Sequence, residues 1–184
     1  MAHHHGDWLT GGDRRAAAVA RIEAAATELF LERGIDDVGV DEVAARAGCS
    51  RATLYRHVGG KAALVDAVLA RSATTVSERV AAAVAPHTGA RQVVEAILAS
   101  VAAIRADPVL SRWVTTRAAG GDGYLTASPV LSRIAATLTG TADDGAAQWI
   151  VRVVLSLLTW PLPDAATERE VVRRFVAPGF ATRR

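Results

Sequence analysis

The chain has 184 residues, is 51% hydrophobic and 22% charged, and carries a formal net charge of +2. That balance excludes a disordered chain and leaves room for one large or two small cores. So small a net charge also excludes indiscriminate coating of nucleic acid, so that local arrangement must decide the partner, and the single cysteine, Cys49, permits no internal disulfide and suits a reducing cytoplasm.

Residues 1–13 read as a disordered N-terminal arm. They lack the apolar run of a signal peptide, and His3, His4 and His5 are either native or a cloning remnant. Adjacent histidines point apart, so they make no metal site. The first helix is expected from about Arg14 to Arg33, with Ile22, Ala26, Leu29 and Phe30 on one face and Gly34 closing it.

A short second helix follows. Val40, Val43, Ala44 and Ala47 recur at i, i+3, i+4 and i+7. Gly48 then supplies a left-handed cap and a sharp turn. Ser50 is the N-cap of a third helix, Arg51 to Val58, in which Leu54 and Val58 face inward. Two helices around a glycine turn make a helix-turn-helix.

Charge separates a DNA reader from an ordinary helical hairpin. Asp36, Asp37, Asp41 and Glu42 come first, and no carboxylate occurs between Glu42 and Asp66, whereas Arg46, Arg51, Arg56, His57 and Lys61 all fall in that window. Arg51 and Lys61 sit at or near helix N-termini, where the macrodipole disfavours a cation by roughly 0.3–1 kcal/mol. A DNA phosphate is the compensating partner this pattern suggests.

Ala44-Ala45-Arg46-Ala47-Gly48, Ser50-Arg51-Ala52-Thr53-Leu54-Tyr55-Arg56-His57 and Lys61-Ala62-Ala63-Leu64 resemble the TetR family of bacterial transcriptional regulators. The resemblance covers about fifty residues, beginning near Leu29-Phe30-Leu31-Glu32-Arg33-Gly34. It implies that Thr53, Tyr55, His57 and Lys61 contact phosphates or neighbouring bases, and that Arg51 and Ala52 face the major groove. With Arg46, Ser50 and Arg56 these are the candidate DNA-binding residues. It also implies that the rest of the chain is an all-helical ligand-binding and dimerisation domain. Some positions depart from the family pattern. Gly39 stands where a Thr or Ser usually caps the second helix, leaving only the Glu42 half of a capping box. Val58 replaces a Phe, Cys49 a Val, and Gly59-Gly60 a capped turn.

The fourth helix should run from Lys61 to about Val84, ended by Pro86, and a fifth from about Gly89 to Ala106, with Val94, Ile97, Leu98, Val101 and Ile104. A sixth, about Val109 to Ala119, carries Trp113 and Arg117. Gly120-Gly121-Asp122-Gly123 reads as a loop, and Ser128-Pro129 opens a seventh helix to about Leu138. The eighth spans about Ala142 to Trp160 and the last about Ala165 to Ala177. The longest apolar run, Trp149 to Leu158, contains Arg152 and Ser156 and falls short of the roughly 20 residues that span a membrane. No membrane partner is expected, and the location expected is cytoplasmic.

In the eighth helix Arg152, Ser156 and Thr159 form one thin polar stripe, so the helix should be covered on more than one side. A homodimer through Val151, Val154, Leu155 and Leu158, completed by Val172, Phe175 and Val176 of the last helix, satisfies that pattern. A dimer also presents two reading heads to a palindromic operator, in successive major grooves about 34–36 Å apart. Trp113, Arg117, Tyr124, Trp149 and Val153 are candidates for an apolar effector pocket with one cationic anchor, suited to a carboxylate or acyl ligand.

The fold expected is all-α: a three-helix helix-turn-helix DNA-binding domain, residues 14–60, followed by a helical effector-binding and dimerisation domain, residues 61–184. The function expected is a repressor on double-stranded DNA, released by a small, hydrophobic effector. The alternative is a DNA-binding regulator that answers to a protein partner or to no ligand. A small helical enzyme is the remote one, because His57 and His87 are the only histidines outside the tail and no zinc, phosphate-loop or nucleophile-elbow spacing occurs. No cofactor or metal is implied. Cys49 is either a small buried hydrophobe or, lying just before a helix N-terminus, a redox-sensitive thiol.

Overall fold

The computed structural model describes residues 7–119 and 125–181. Among them the regular structure is helical, with no strand: α1 (Asp7–Arg33), α2 (Val40–Arg46), α3 (Arg51–Val58), α4 (Lys61–Val84), α5 (Gly89–Arg105), α6 (Pro108–Ala119), α7 (Pro129–Thr139), α8 (Asp144–Thr159), α9 (Ala165–Phe175) and a closing 3-10 turn (Ala177–Phe180). The all-α expectation is met, and most helix limits fall within a residue or two of those expected. α1 is the exception. It begins at Asp7, so residues 7–13 are helix rather than an arm. A helix already nucleated by the packed residues 14–33 extends at little further cost, and this outweighs the penalty of Gly11 and Gly12. The histidines His3 to His5 and the expected loop Gly120 to Gly123 lie outside the described residues.

The chain divides into two compact units, residues 1–71 and 72–184, with the division falling inside α4. The first is built on the apolar stripe of α1. Ile22, Ala26, Leu29 and Phe30 are buried together with Val38, Val43, Ala44, Leu54, Leu64 and Val68. Leu54, fully buried, is the one α3 side chain with no exposed area, and burying a leucine stabilises by about 1.5–3 kcal/mol. This core is small, and charge clamps supplement it. Arg46 reaches from α2 back to Glu28 at 3.2 Å and to Glu32 at 3.1 and 3.2 Å, two acids one turn apart on α1. Arg33 closes on the Glu42 carboxylate, which also accepts the Gly39 backbone N–H at 3.0 Å and so caps α2 from its third position. The half capping box expected there is present.

In the second unit α5 lies at the centre and buries Val93, Val94, Ile97 and Val101; it packs on α6, which buries Val109, Leu110 and Val114, and on α8, which buries Ile150 and Leu155. Two Arg–carboxylate forks fasten α9 to α5. Arg105 donates to Glu168 at 2.9 and 2.7 Å and to the Leu157 carbonyl at 2.8 Å. Arg169 donates to Glu95 at 2.5 and 3.2 Å. Its guanidinium holds the Glu95 carboxyl below the ordinary carboxylate range. Glu168 is 3% exposed, a buried carboxylate that periodicity alone gave no reason to expect. Side-chain caps set the starts of the later helices: Ser128 accepts from Leu131 N–H, Asp143 from Ala146 N–H and Asp164 from Thr167 N–H.

Candidate nucleic-acid interface

The α2–α3 hairpin is set by its turn. Cys49 N–H donates to the Ala44 carbonyl at 2.9 Å and Gly48 N–H to Ala45 at 3.1 Å, the paired bonds of a Schellman cap. Gly48 sits at φ 67°, left-handed as expected. Ser50 then accepts the Thr53 N–H at 3.1 Å and meets the Thr53 hydroxyl at 2.9 Å. These two side chains, expected at DNA, are used in part to start α3. Cys49 is half-buried and free.

With Leu54 turned inward, α3 leaves Arg51, Ala52, Tyr55 and Arg56 exposed, and Thr53 and His57 half-buried. Tyr55 is 44% exposed. Its ring rests against Gly60, whose φ of 111° and a distance of 3.0 Å from an added Cβ to the ring leave no place for a side chain. This gives the glycine at position 60 a physical reason: the Tyr55 ring occupies the space that a side chain there would need. His57 keeps Nδ1 buried without a hydrogen-bond partner.

The cations are not as free as their spacing suggested. Arg51 donates through one nitrogen to both oxygens of Asp41, at 3.1 and 2.9 Å, and its guanidinium lies 5.4 Å from the Tyr55 ring centroid. Its pKa is raised, first by its contact with Tyr55 and then by the Asp41 charge. Arg46 is held by Glu32 and Glu28, which raise its pKa further above the ordinary range. Lys61 donates to the Asp36 carbonyl at 2.8 Å. The window that is free of acids along the chain is therefore not free of them in space, because α1 and the first turn of α2 fold their carboxylates onto it. A phosphate is not needed to explain Arg51 at a helix N-terminus; Asp41 compensates it. Of the three arginines and one lysine in that window, Arg56 alone has no side-chain ion pair or hydrogen bond among the described residues.

The expected effector residues do not form one group. Arg117 lies 6.0 Å from the Trp113 ring centroid on α6, and Tyr124 lies outside the described residues. Trp149 and Val153 line a different place, an open groove of about 390 Å³ between α8 and α9 that also takes in Arg152, Ser156, Phe175 and Val176. The residues expected at a dimer face differ in exposure. Val151 and Leu155 are 8% exposed and Leu158 7%, already buried within the chain, and Val154 is half-buried. Val172 and Val176 are buried as well, whereas Phe175 is 68% exposed. Arg152 and Ser156 are exposed, as the polar stripe predicts, and Trp149 and Val153 share their side of α8, at i, i+3, i+4 and i+7.

Among the described residues no helix is long and apolar enough to cross a membrane. Residues 22–68 match the family model described as bacterial regulatory proteins, tetR family. An uncharacterized HTH-type transcriptional regulator of Mycobacterium tuberculosis is 33% identical over 181 residues, covering 94% of this chain and 89% of the relative. The HTH-type transcriptional activator FasR of Mycolicibacterium smegmatis is 39% identical over 88 residues, 45% of this chain and 40% of its own. The solved TetR family repressor AlkX from Dietzia sp. strain DQ12-45-1b shares the fold, with a TM-score of 0.59 at 20% identity over 88% of this chain and 94% of that one. With the helix-turn-helix built as described and a regulator matched along nearly its whole length, the chain belongs to the TetR family of bacterial transcriptional regulators, DNA-binding proteins rather than enzymes.

Proposed function

We propose that this regulator is a homodimer that reads a two-fold symmetric operator through α3 and acts as a repressor released by a small apolar effector. The observation that carries the reading is the outer face of α3, where Arg51, Ala52, Tyr55 and Arg56 stand exposed while Leu54 anchors the helix from behind. Arg51 addresses a base edge in the major groove, and Tyr55, His57 and Lys61 address phosphates. Lys61 has two further donors beyond the one bonded to Asp36. Arg46 serves chiefly as the clamp between α1 and α2. Residues 14–60 act as the reading head and 61–184 as the effector and dimer region.

Dimerisation takes place across the α8–α9 groove, with Phe175 and Trp149 of each copy covered by the other. A large exposed aromatic beside an apolar hollow supports this, because such side chains anchor interfaces. The effector is bound near Trp113 and Arg117, the guanidinium suiting a carboxylate or acyl head. Occupancy favours a head separation that does not match the half-sites, so ligand and operator weaken each other by the same factor. Activation is a second reading, favoured by the 39% identity to FasR, an activator.

Footprinting on the DNA upstream of the protein's own gene tests the proposal. Two protected half-sites related by a dyad, absent on scrambled DNA, are the expected result. Protection of a single half-site, or equal protection of scrambled DNA, removes the dimeric reader. An effector whose affinity is unchanged by saturating operator removes the coupling.

A further inference from the structure

We infer that Asp41 is a specificity-determining residue of this reading head: it clamps Arg51, directs the donors that remain toward a base edge, and withholds that guanidinium from phosphates. The inference rests on the DNA-reading function proposed above.

The clamp is built from both helices of the hairpin. Asp41 lies in the first turn of α2, where the helix dipole favours a carboxylate, and Arg51 is the first residue of α3, where it opposes a cation. One guanidinium nitrogen is shared between both Asp41 oxygens at 3.1 and 2.9 Å, and the group lies 5.4 Å from the centroid of Tyr55 one turn along α3. Asp41 engages only one of the guanidinium nitrogens, so donors remain that it does not use, and Tyr55 lies beside the group. The pair stands in solvent, with the Arg51 side chain 61% and the Asp41 side chain 68% exposed. It is therefore weak enough for DNA to rearrange, yet it leaves a negative charge fixed at the start of the reading helix.

That charge discriminates between two kinds of contact. Beside a phosphate it is repulsive, so a backbone contact by Arg51 is opposed. Beside a base pair it is useful, because Arg51 donates to guanine O6 and N7 while the carboxylate accepts from a cytosine amine. Arg46 differs, being shared between two acids of α1, and Arg56 differs in having no acid at all. Asp41 thus trades affinity for discrimination at the single position that Arg51 reads.

The test uses the full chain and its D41N, D41E, R51A and D41N/R51A variants. Dissociation constants are measured for a duplex that the wild type enriches from a random pool and for a scrambled duplex, over a range of salt. D41N is expected to bind scrambled DNA several-fold more tightly, with a log–log salt slope steeper by about 0.9 as Arg51 gains a phosphate. Its ratio of specific to scrambled affinity should fall by about five- to tenfold. D41E, which keeps the charge, should restore the ratio, and D41N should change nothing further in the R51A background. An unchanged ratio and slope in D41N, or additive effects in the double variant, overturn the inference. If R51A lowers the ratio and D41N does not, Asp41 alone is wrong. If the wild type enriches no sequence, the DNA-reading function itself fails.

Discussion

Arg105→Ala tests how the second unit is held together. Glu168 is 3% exposed, and Arg105 supplies both of its charged hydrogen bonds, at 2.9 and 2.7 Å, along with a bond to the Leu157 carbonyl. Removing one partner of a buried pair destabilises by about 3–5 kcal/mol, because the other charge is left without compensation. Arg105 is itself 37% exposed, so water can follow into the vacated space, and the lower end, about 3 kcal/mol, is expected. At roughly 2–4 °C per kcal/mol for a chain of this length, that is a fall in Tm of about 6–12 °C. Glu168→Gln removes the charge but keeps the shape and an acceptor, so it should cost about 1 kcal/mol. Replacing both partners by apolar residues of similar volume should be milder than Arg105→Ala alone. Urea titrations of the three variants give the ordering directly. A loss below about 1 kcal/mol in Arg105→Ala, or a Glu168→Gln variant as damaged as Arg105→Ala, would refute the claim that an uncompensated carboxylate is the cause.

Other consequences follow from single contacts. Gly60→Ala should destabilise by about 1–2 kcal/mol through its positive φ, and should displace Tyr55, so that affinity for all DNA falls more than the melting curve alone predicts; a variant with wild-type DNA affinity contradicts the packing of Tyr55 against Gly60. Phe175→Glu should raise the dimer dissociation constant about 30-fold or more, the equivalent of losing a hot spot of about 2 kcal/mol. Sedimentation that finds an unchanged mass would place the interface elsewhere. Because Arg169 holds the Glu95 carboxyl below its ordinary value of 4.5, the pair stabilises fully above that value and the benefit is lost as pH falls through the lowered one. The stability gap between wild type and Glu95→Gln should therefore close in acid, and a gap independent of pH would show that the carboxylate charge is not its source.

Local signals in the sequence were reliable where they were also local in cause. Gly48, Ser50 and Ser128 marked turns and caps through backbone geometry or a reach of three residues, and the structure places them so. The apolar stripes of α1 and α3 likewise identified Ile22, Phe30 and Leu54 as core. Pairings across long sequence separations were hidden. Arg46 with Glu28 and Glu32, Arg51 with Asp41, and Arg105 with Glu168 depend on which helices pack together, so charge spacing along the chain suggested free cations where the fold supplies acids. The buried side of α8 was hidden for the same reason: in a helix with a thin polar stripe, Val151 and Leu155 look as available as Trp149 and Val153 until α5, α6 and α7 are in place. The groove between α8 and α9 needs both helices and could not be read from either.

The central claim is that the outer face of α3 reads DNA sequence in two symmetry-related copies. Enrichment of short duplexes from a random pool on the purified protein tests it most directly. The account predicts one inverted-repeat motif, with half-sites whose centres are separated by about one helical turn or somewhat more, that disappears when Arg51 and Tyr55 are both replaced by alanine. A pool that stays random, a motif without dyad symmetry, or a motif retained in the double alanine variant would contradict it.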